Sequence, residues 1–254
     1  MTVLSTIAES PEPLRFAAIA RKLDMPKASL HRILTALMTE RLVRLDPEQQ
    51  TYHAGYRLLE LAHRTWEETD IRKVAQPHLR QLRAQVQETV HLAVRDGSEI
   101  VYIDKLESSD GLRLYSAIGK RGPIYCTGVG KAILASLDDE EQRRIIDRLD
   151  LAPFTNNTIT TAEKLRFAIK EIRNRGCAYD LEEHQEGTRC VAAPVVNFHG
   201  EVIASISVTG PATRMTSERM RDLEGAVIDA ARRISIDLGY TGAETGAPGK
   251  SKQS

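Results

Sequence analysis

Polar side chains suited to DNA contacts cluster within one short segment of the chain. Two cations there can bind phosphates, while two hydroxyls and an imidazole can reach base edges. Residues 21–44 hold six Lys or Arg against two acids, so this segment is basic in a chain of zero formal net charge. The composition predicts DNA binding, and a helical hairpin with a merely solvated charged face is the alternative. The five side chains are Lys27, Ser29, His31, Arg32 and Thr35.

Two short amphipathic helices would position these side chains. Asp24-Met25-Pro26 interrupts the apolar pattern of the first helix, and Pro26 is preset for the first turn of the second. Residues 42–53 are then predicted to form a β-hairpin, on which Arg44 could reach the DNA backbone or the minor groove. Helix, turn, helix and hairpin together predict a winged helix-turn-helix, whose second helix enters the major groove.

A glycine-rich helix start is the first part of a second candidate site. Gly128, Val129 and Gly130 open a predicted helix, where free N–H groups and the helix dipole favour an anion. The segment is not a Walker A loop, because Tyr125 and Ala132 stand where that motif requires Gly and Ser or Thr. The residues alone leave two alternatives open, a carboxylate cradle and close packing of the backbone.

Polar residues on neighbouring predicted strands could complete this site. Ser207 and Thr209 lie two residues apart on one strand, so both face the same side of the sheet. Asp180 and Cys190 on adjacent strands would offer further polar groups to a polyhydroxylated acid. In the alternative, the two hydroxyls satisfy local backbone groups and Cys190 is a small core residue.

Catalysis is disfavoured, although Cys190, His184 and Asp180 have the residue types of a nucleophile, a base and an orienting acid. Acids beside Cys190 would raise the pKa of its thiol, and His184 lies in an acidic run that is expected to be exposed. The histidines are scattered, so we expect no metal site and no cofactor. For His91 and Tyr102 on a predicted hairpin, core or surface roles are favoured over ligand contact.

Composition indicates a globular protein of the cytoplasm. Hydrophobic residues make up 41% and charged residues 28% of the 254, a length that allows one or two packed domains. Three widely spaced cysteines fit a reducing cytoplasm and no usual zinc spacing. Because the chain has neither a signal peptide nor an apolar run of about 18 residues, we expect no contact with a membrane.

The predicted organisation is an α+β chain in four parts. Residues 1–56 form the winged helix-turn-helix, and 57–86 form a helical linker with Trp66 and a break near residue 70 or Pro77. A second domain at 87–240 combines antiparallel strands with segregated helices, including a predicted third strand at 112–118. The tail at 241–254 is rich in Gly, Ser and Thr and is predicted to be disordered.

From about residue 2 to 240 the chain resembles the IclR family of bacterial transcriptional regulators. The most specific match is DLEEHQEGTRCVAAPV at 180–195, where acids and a glycine precede Cys-Val-Ala-Ala-Pro. MPKASLHRIL, TGVGKAILA and SISVTGP support it. ETVHLAV, SEIVYIDK and LRLYSAIGKRGPIYCTGVGKAILA are similar to the subgroup that senses ketodeoxygluconate and related sugar acids. Two departures are Ser29, where Thr is usual, and Gln50, where Gly is common in the wing turn.

The resemblance implies a winged helix-turn-helix that dimerises, a helical linker, and a GAF-like α+β domain that binds a small carboxylate. In the family, the positions of Gly128, Asp180, Cys190, Ser207 and Thr209 line the effector cavity. We therefore expect a DNA-binding repressor of a catabolic operon, with operator DNA, a carboxylate such as 2-keto-3-deoxygluconate, and further copies in a homodimer or tetramer as partners. The alternatives are an effector-independent regulator whose second domain only oligomerises, and a small-molecule enzyme.

Overall fold

The computed structural model describes residues 2–61, 70–108 and 117–241. The chain divides into two compact units, Met1–Asp70 and Ile71–Ser254. Within the described ranges, no helix is long and apolar enough to cross a membrane. Trp66, most of the strand predicted at 112–118 and the tail from residue 242 lie outside the described residues.

The first unit combines three helices with a small antiparallel sheet. Its elements are α1 (Thr2–Ala8), β1 (Leu14–Arg15), α2 (Phe16–Leu23), α3 (Lys27–Thr39), β2 (Val43–Asp46) and β3 (Thr51–Ala54). The strand order is β1-β3-β2, and all pairs are antiparallel. One core joins the helices and the sheet, and it includes Ile7, Ile19 and Leu34. The predicted winged helix-turn-helix is confirmed.

The two turns of this unit follow from local sequence. α2 ends at Asp24, which adopts the left-handed conformation with φ of 48°, and Pro26 directly precedes α3. In the wing turn, Asp46 Oδ1 accepts from the backbone N–H groups of Glu48 and Gln49 at 2.9 and 3.1 Å, which holds the pKa of Asp46 below its usual value. Gln50 completes the turn at φ of 55°, the region that explains why glycine is common there.

A six-stranded antiparallel sheet forms the centre of the second unit. Its elements are α4 (Asp70–Val86), β4 (Thr89–Asp96), β5 (Glu99–Leu106), β6 (Arg121–Pro123), α5 (Gly128–Ser136), α6 (Asp139–Ile146), α7 (Ala162–Arg175), β7 (Ala178–Leu181), β8 (Thr188–Val196), β9 (Val202–Pro211) and α8 (Ser217–Asp237). The strand order is β6-β5-β4-β9-β8-β7. One core packs α4 and α8 on one face of the sheet, and a second core packs α5, α6 and α7 on the other.

A β-bulge interrupts the pairing of β4 with β5. Leu92 pairs with Asp104, but the next residue of β4 pairs with Tyr102, so Ile103 is the extra residue. The bulge places two consecutive residues of β5, Ile103 and Asp104, on the same face of the sheet. Tyr102 packs against the α5–α7 core, whereas Ile103 packs against the α4–α8 core. Asp104 lies on this second face as well, with its Oδ2 3.4 Å from Nε of Arg72 on α4.

Two elements differ from the sequence predictions. Pro77 does not interrupt α4, which continues through it because Ile71, Leu79 and Leu82 are buried in the core while Pro77 is exposed. Most of the predicted linker 57–86 that is described therefore packs within the second unit, although the predicted domain limits stay a prediction. The strand beside β5 is β6 at Arg121–Pro123, and Ile118 lies in the turn before it.

Candidate DNA interface and ligand cavity

The outer face of α3 presents the predicted DNA-binding side chains. Leu30 and Leu34 anchor the helix in the core, and both are fully buried. Of the five predicted side chains on α3, Ser29 is half-buried and the others are exposed. Thr35 Oγ1 donates to the carbonyl of His31 at 2.9 Å, so its lone pairs remain available as acceptors. The exposed side chains are Lys27, His31, Arg32 and Thr35.

Ion pairs divide the cations of this unit into two groups. Two arginines beyond the C-terminal end of α3 are paired with acids, which ties the helical residues 57–61 to that end of the helix. In the described part of the unit, Lys27 and Arg32 form no such pair, so their charge is available to phosphate. The paired arginines are Arg41 with Glu60 and Arg57 with Glu40.

Arg44 lies on the wing, next to the end of the hairpin. Its guanidinium carbon is 5.5 Å from the centroid of the Tyr56 ring, and both side chains are exposed. Gly55 is required before Tyr56, because a Cβ there would lie closer than 3.0 Å to the carbonyl oxygen of Arg41. This close approach brings the chain after β3 back against the wing and positions Tyr56 beneath Arg44.

A cavity of about 60 Å³ in the second unit brings together polar groups from several strands and the N-terminus of α5. Of the seven ligand residues predicted from the sequence, six line it: Gly128, Val129, Asp180, Cys190, Ser207 and Thr209. Gly130 does not line the cavity. The lining residues that the sequence did not assign to the site are His91, Tyr102, Lys120, Arg121, Thr127, His184, Gln185 and Thr188.

The two glycines at the start of α5 have different surroundings. A Cβ on Gly128 would lie closer than 3.0 Å to Cys190 Sγ, at the cavity wall. A Cβ on Gly130 would instead meet the backbone of Ile124, so this glycine allows close packing. Thr127 caps the helix, since its Oγ1 accepts from the Gly130 N–H at 3.2 Å. Gly128 and Val129 precede this capped position and line the cavity.

Buried charges lie behind Gly128. Lys131 Nζ forms an ion pair with Glu183, and both side chains are at least nine-tenths buried. The expectation that the acidic run around His184 is exposed is therefore wrong for Glu183, and His184 itself is half-buried. Burial raises the pKa of Asp180 to about 7, although Lys131 acts against this shift. Asp180 Oδ1 also accepts from the Glu183 N–H at 2.8 Å.

The opposite wall of the cavity is formed by β4, β5 and β9. Ser207 on β9 pairs in register with His91 on β4. The imidazole Nδ1 lies 3.4 Å from Ser207 Oγ and 3.3 Å from Thr209 Oγ1. Tyr102 lies beside it, with ring centroids 5.0 Å apart. Burial raises the pKa of Tyr102, so the phenol keeps its proton, and burial lowers the pKa of His91 to about 3, so the imidazole is neutral.

This arrangement suits binding rather than nucleophilic chemistry. Burial raises the pKa of the Cys190 thiol, and the neighbouring Asp180 raises it further, so the nucleophilic thiolate is disfavoured. In the part of the chain that the structure describes, no group of three or more His, Cys, Asp or Glu side chains could hold a metal ion. The cavity thus combines an anion-attracting helix end and two cationic residues, Lys120 and Arg121, with uncharged hydrogen-bonding groups.

Two family descriptions match the chain. Residues 1–47 match the IclR helix-turn-helix domain, and residues 63–236 match the C-terminal domain of the bacterial transcriptional regulator IclR. The chain belongs to the IclR family. The helix-turn-helix match comes first in this chain, and the exposed face of α3 lies within it.

Individual relatives agree with this assignment. The chain is 34% identical over 238 residues to the HTH-type transcriptional regulator KdgR of Escherichia coli (strain K12), covering 94% of this chain and 90% of that protein. It is 34% identical over 241 residues to KipR of Bacillus subtilis (strain 168), covering 95% and 96%. The crystal structure of the Thermotoga maritima IclR matches with a TM-score of 0.80 and 32% identity, covering 94% and 96%. This IclR-family protein is a DNA-binding transcriptional regulator and not an enzyme.

Proposed function

We propose that this regulator represses a catabolic operon in the cytoplasm, and that a small carboxylate bound in the second unit controls its affinity for operator DNA. The observation that carries the proposal is the cavity, in which Asp180, Ser207 and Thr209 are each at least nine-tenths buried beside the N-terminus of α5. Buried polar groups facing a cavity favour a polar ligand over an apolar one. Sugar acids such as 2-keto-3-deoxygluconate are the first effectors to test.

Each wall of the cavity has a separate role in this proposal. The N–H groups of Gly128 and Val129 hold the effector carboxylate, because the start of a helix carries partial positive charge. Lys131 stays paired with Glu183 and does not reach the ligand. With a pKa of about 7, Asp180 can donate a proton to an effector oxygen without adding a second negative charge. Ser207 and Thr209 supply hydroxyls on the other wall.

A homodimer, or a tetramer built from dimers, would place two α3 helices in successive major grooves of a pseudo-palindromic operator. Lys27 and Arg32 contact phosphates in this arrangement, and Arg44 on the wing reaches the backbone or the minor groove. Ser29, His31 and Thr35 lie nearest the base edges. Exposure of this face and the absence of ion pairs at its cations, within the described residues, support these roles.

Salt dependence tests the DNA-binding roles. Each phosphate contact contributes a slope of about −0.9 to the logarithm of affinity against the logarithm of salt concentration. Lys27→Ala and Arg32→Ala should each reduce the slope by about 1 on DNA from upstream of the chain's own gene. Lys170→Ala, which removes an equal charge from an exposed position of α7, is the control and should leave the slope unchanged. Wild-type slopes in both α3 variants would refute the docking.

The β-bulge at Ile103 gives the cavity a connection to α4. Tyr102 lines the cavity on one face of the sheet, and Asp104 contacts Arg72 on the other face. Arg72 lies near the start of α4, close to the residue at which the two units divide. Effector contacts that displace β5 would therefore displace the start of α4. A coupling free energy of about 1–3 kcal/mol would change operator affinity by about 5- to 150-fold.

Ligand binding by the full chain tests the effector role. A ligand at 100 times its dissociation constant stabilises the native state by about 2.7 kcal/mol. For a unit of this size, that corresponds to a rise of roughly 5–10 °C in the unfolding midpoint. A panel of sugar acids and keto acids should contain at least one compound with this effect. If no acid raises the midpoint while operator binding persists, the second unit serves oligomerisation alone.

A further inference from the structure

We propose that Tyr56 is a positioning residue for DNA binding, and that its ring holds the Arg44 guanidinium of the wing in the orientation that contacts the operator. This inference rests on the proposed contact of Arg44 with DNA and adds to it a residue that the sequence did not assign to the interface. Tyr56 is 69% exposed, so its ring contributes little to the core of the first unit and is accessible beside the wing.

The backbone on both sides of Tyr56 is fixed to the end of α3. The Gly55 N–H donates to the Leu42 carbonyl at 2.8 Å. On the other side, Arg57 Nη1 donates to the Glu40 carbonyl at 3.0 Å. Because Tyr56 lies between these two anchored residues, its ring has a defined place beside the wing rather than the freedom of a side chain on a loose loop.

The ring is the group that orients Arg44. The guanidinium carbon lies 5.5 Å from the centroid of Tyr56, within the roughly 6 Å over which an aromatic face attracts a cation. Asp46, two residues along β2, faces the same side, but backbone N–H groups of the wing turn hold its Oδ1. His53 pairs with Arg44 across the hairpin, and its Nε2 lies 3.0 Å from Thr51 Oγ1. In the described part of the first unit, the ion pairs involve other arginines.

An arginine that rests against an aromatic ring is still able to bind DNA. The guanidinium is planar and carries five N–H donors. A cation–π contact uses none of these donors, so they stay available to oxygen acceptors of the phosphates or of the minor groove. The attraction also becomes stronger where water is excluded, as it is at a DNA surface. Tyr56 therefore orients Arg44 without competing with DNA for it.

Orientation before binding raises affinity, because it lowers the entropy cost of ordering the side chain. Immobilising one flexible side chain at an interface lowers affinity by about 2- to 10-fold. An Arg44 side chain that Tyr56 already restrains avoids most of this loss. Removal of the ring should therefore weaken operator binding by about 2- to 10-fold for each wing on the DNA, which is at least about fourfold for a dimer that uses both wings.

Anisotropy titrations of the full chain with labelled DNA from upstream of its own gene test this role. Tyr56→Leu should weaken binding by at least about fourfold, whereas Tyr56→Phe keeps the aromatic face and should bind as wild type does. Arg44→Ala should weaken binding as well. In the Arg44→Ala background, Tyr56→Leu should change the dissociation constant by less than about twofold, because a positioning residue has no effect once the residue that it orients is gone.

Phe167→Leu is the matched control. Phe167 lies on α7 in the second unit and is 68% exposed, so the substitution removes an equally accessible aromatic ring away from the wing. Its operator affinity should equal that of wild type. A loss in Phe167→Leu as large as that in Tyr56→Leu would overturn the inference, because it would show a general effect of removing exposed rings.

Three other outcomes would also overturn the inference. If Tyr56→Leu binds as wild type does while Arg44→Ala binds more weakly, or if Tyr56→Leu has the same effect with and without Arg44, the positioning role fails and the Arg44 contact stands. An equal loss in Tyr56→Phe and Tyr56→Leu would assign the effect to the hydroxyl instead of the ring. Wild-type affinity of Arg44→Ala, with weakened binding by Lys27→Ala, would remove both the positioning role and the Arg44 contact.

Discussion

Replacing Gly128 with alanine should destabilise the second unit, and replacing Cys190 with alanine should relieve that loss. A Cβ on Gly128 would lie closer than 3.0 Å to Cys190 Sγ, well inside the ~3.5–4.0 Å of ordinary contact. Because protein cores are close-packed, such overpacking costs about 1–3 kcal/mol. Once the sulfur is removed, the nearest remaining atom is Ala192 Cβ at 3.4 Å, which is an ordinary contact distance.

A double-mutant cycle measures this contact. Gly128→Ala, Cys190→Ala and the double variant should show a favourable coupling free energy of about 1–3 kcal/mol in urea unfolding of the full chain, with the m-value unchanged. In the Cys190→Ala background, Gly128→Ala should be neutral or stabilising by up to about 0.5–1 kcal/mol, because alanine is favoured over glycine in helices by about that amount. Circular dichroism reports the transition of the larger, second unit.

Gly130→Ala is the control for this cycle. Its Cβ would meet the Ile124 backbone, so Cys190→Ala should give no relief. Additivity of the costs of Gly128→Ala and Cys190→Ala to within about 0.5 kcal/mol would rule out a direct steric contact between the two positions. Equal rescue of Gly128→Ala and Gly130→Ala would also refute it, because it would show a general loosening rather than one specific contact.

Three further predictions concern buried charges. Because the pKa of Asp180 rises from 3.8 to about 7 on burial, ionisation at higher pH destabilises the fold. Asp180→Asn should therefore have the same free energy of unfolding as wild type at about pH 4. At about pH 8.5 its free energy of unfolding should be higher than that of wild type by up to about 4 kcal/mol, at about 1.36 kcal/mol per pH unit. Equal free energies of unfolding at the higher pH, measured by urea titration, would contradict the raised pKa of Asp180. In the same assay, Lys131→Met should lower the free energy of unfolding by about 3–5 kcal/mol, because Glu183 loses its buried partner. Adding Glu183→Met should recover most of this loss. A loss below about 1 kcal/mol for Lys131→Met would show that the pair is not buried as described. Asp104→Asn should keep the affinity for the effector but reduce the effector-induced change in operator affinity, which fluorescence anisotropy measures. If the ratio of operator affinities with and without effector is unchanged in this variant, Asp104 does not belong to the proposed coupling route.

Local periodicity was sufficient to predict the parts of the site that lie on one element. Ser207 and Thr209 share a face because strand residues alternate, and the structure places both at the cavity. His91 could not be assigned in this way. It meets Ser207 only through the register of β4 with β9, and 116 residues separate the two in the chain. A histidine between apolar strand residues was the only local signal.

Tertiary contacts also decide between residues that look alike in sequence. Gly128 and Gly130 belong to one short motif, yet one faces Cys190 and the other faces backbone. Glu183 stands in an acidic run that predicts exposure, but Lys131, 52 residues away, draws it into the interior. Pro77 predicts a helix break, whereas burial of the apolar side of α4 keeps the helix continuous.

The dependence of operator affinity on effector concentration is the decisive measurement for the proposed control of DNA binding. Anisotropy titrations would use labelled DNA from upstream of the chain's own gene, the full chain, and the acid that most raises the unfolding midpoint. We expect a change of about 5- to 150-fold in the dissociation constant of the operator complex at saturating acid. We also expect Lys27→Ala and Arg32→Ala to lose operator affinity but to keep the rise in the unfolding midpoint. Operator affinity that is the same with and without the bound acid would contradict control of DNA binding by the effector.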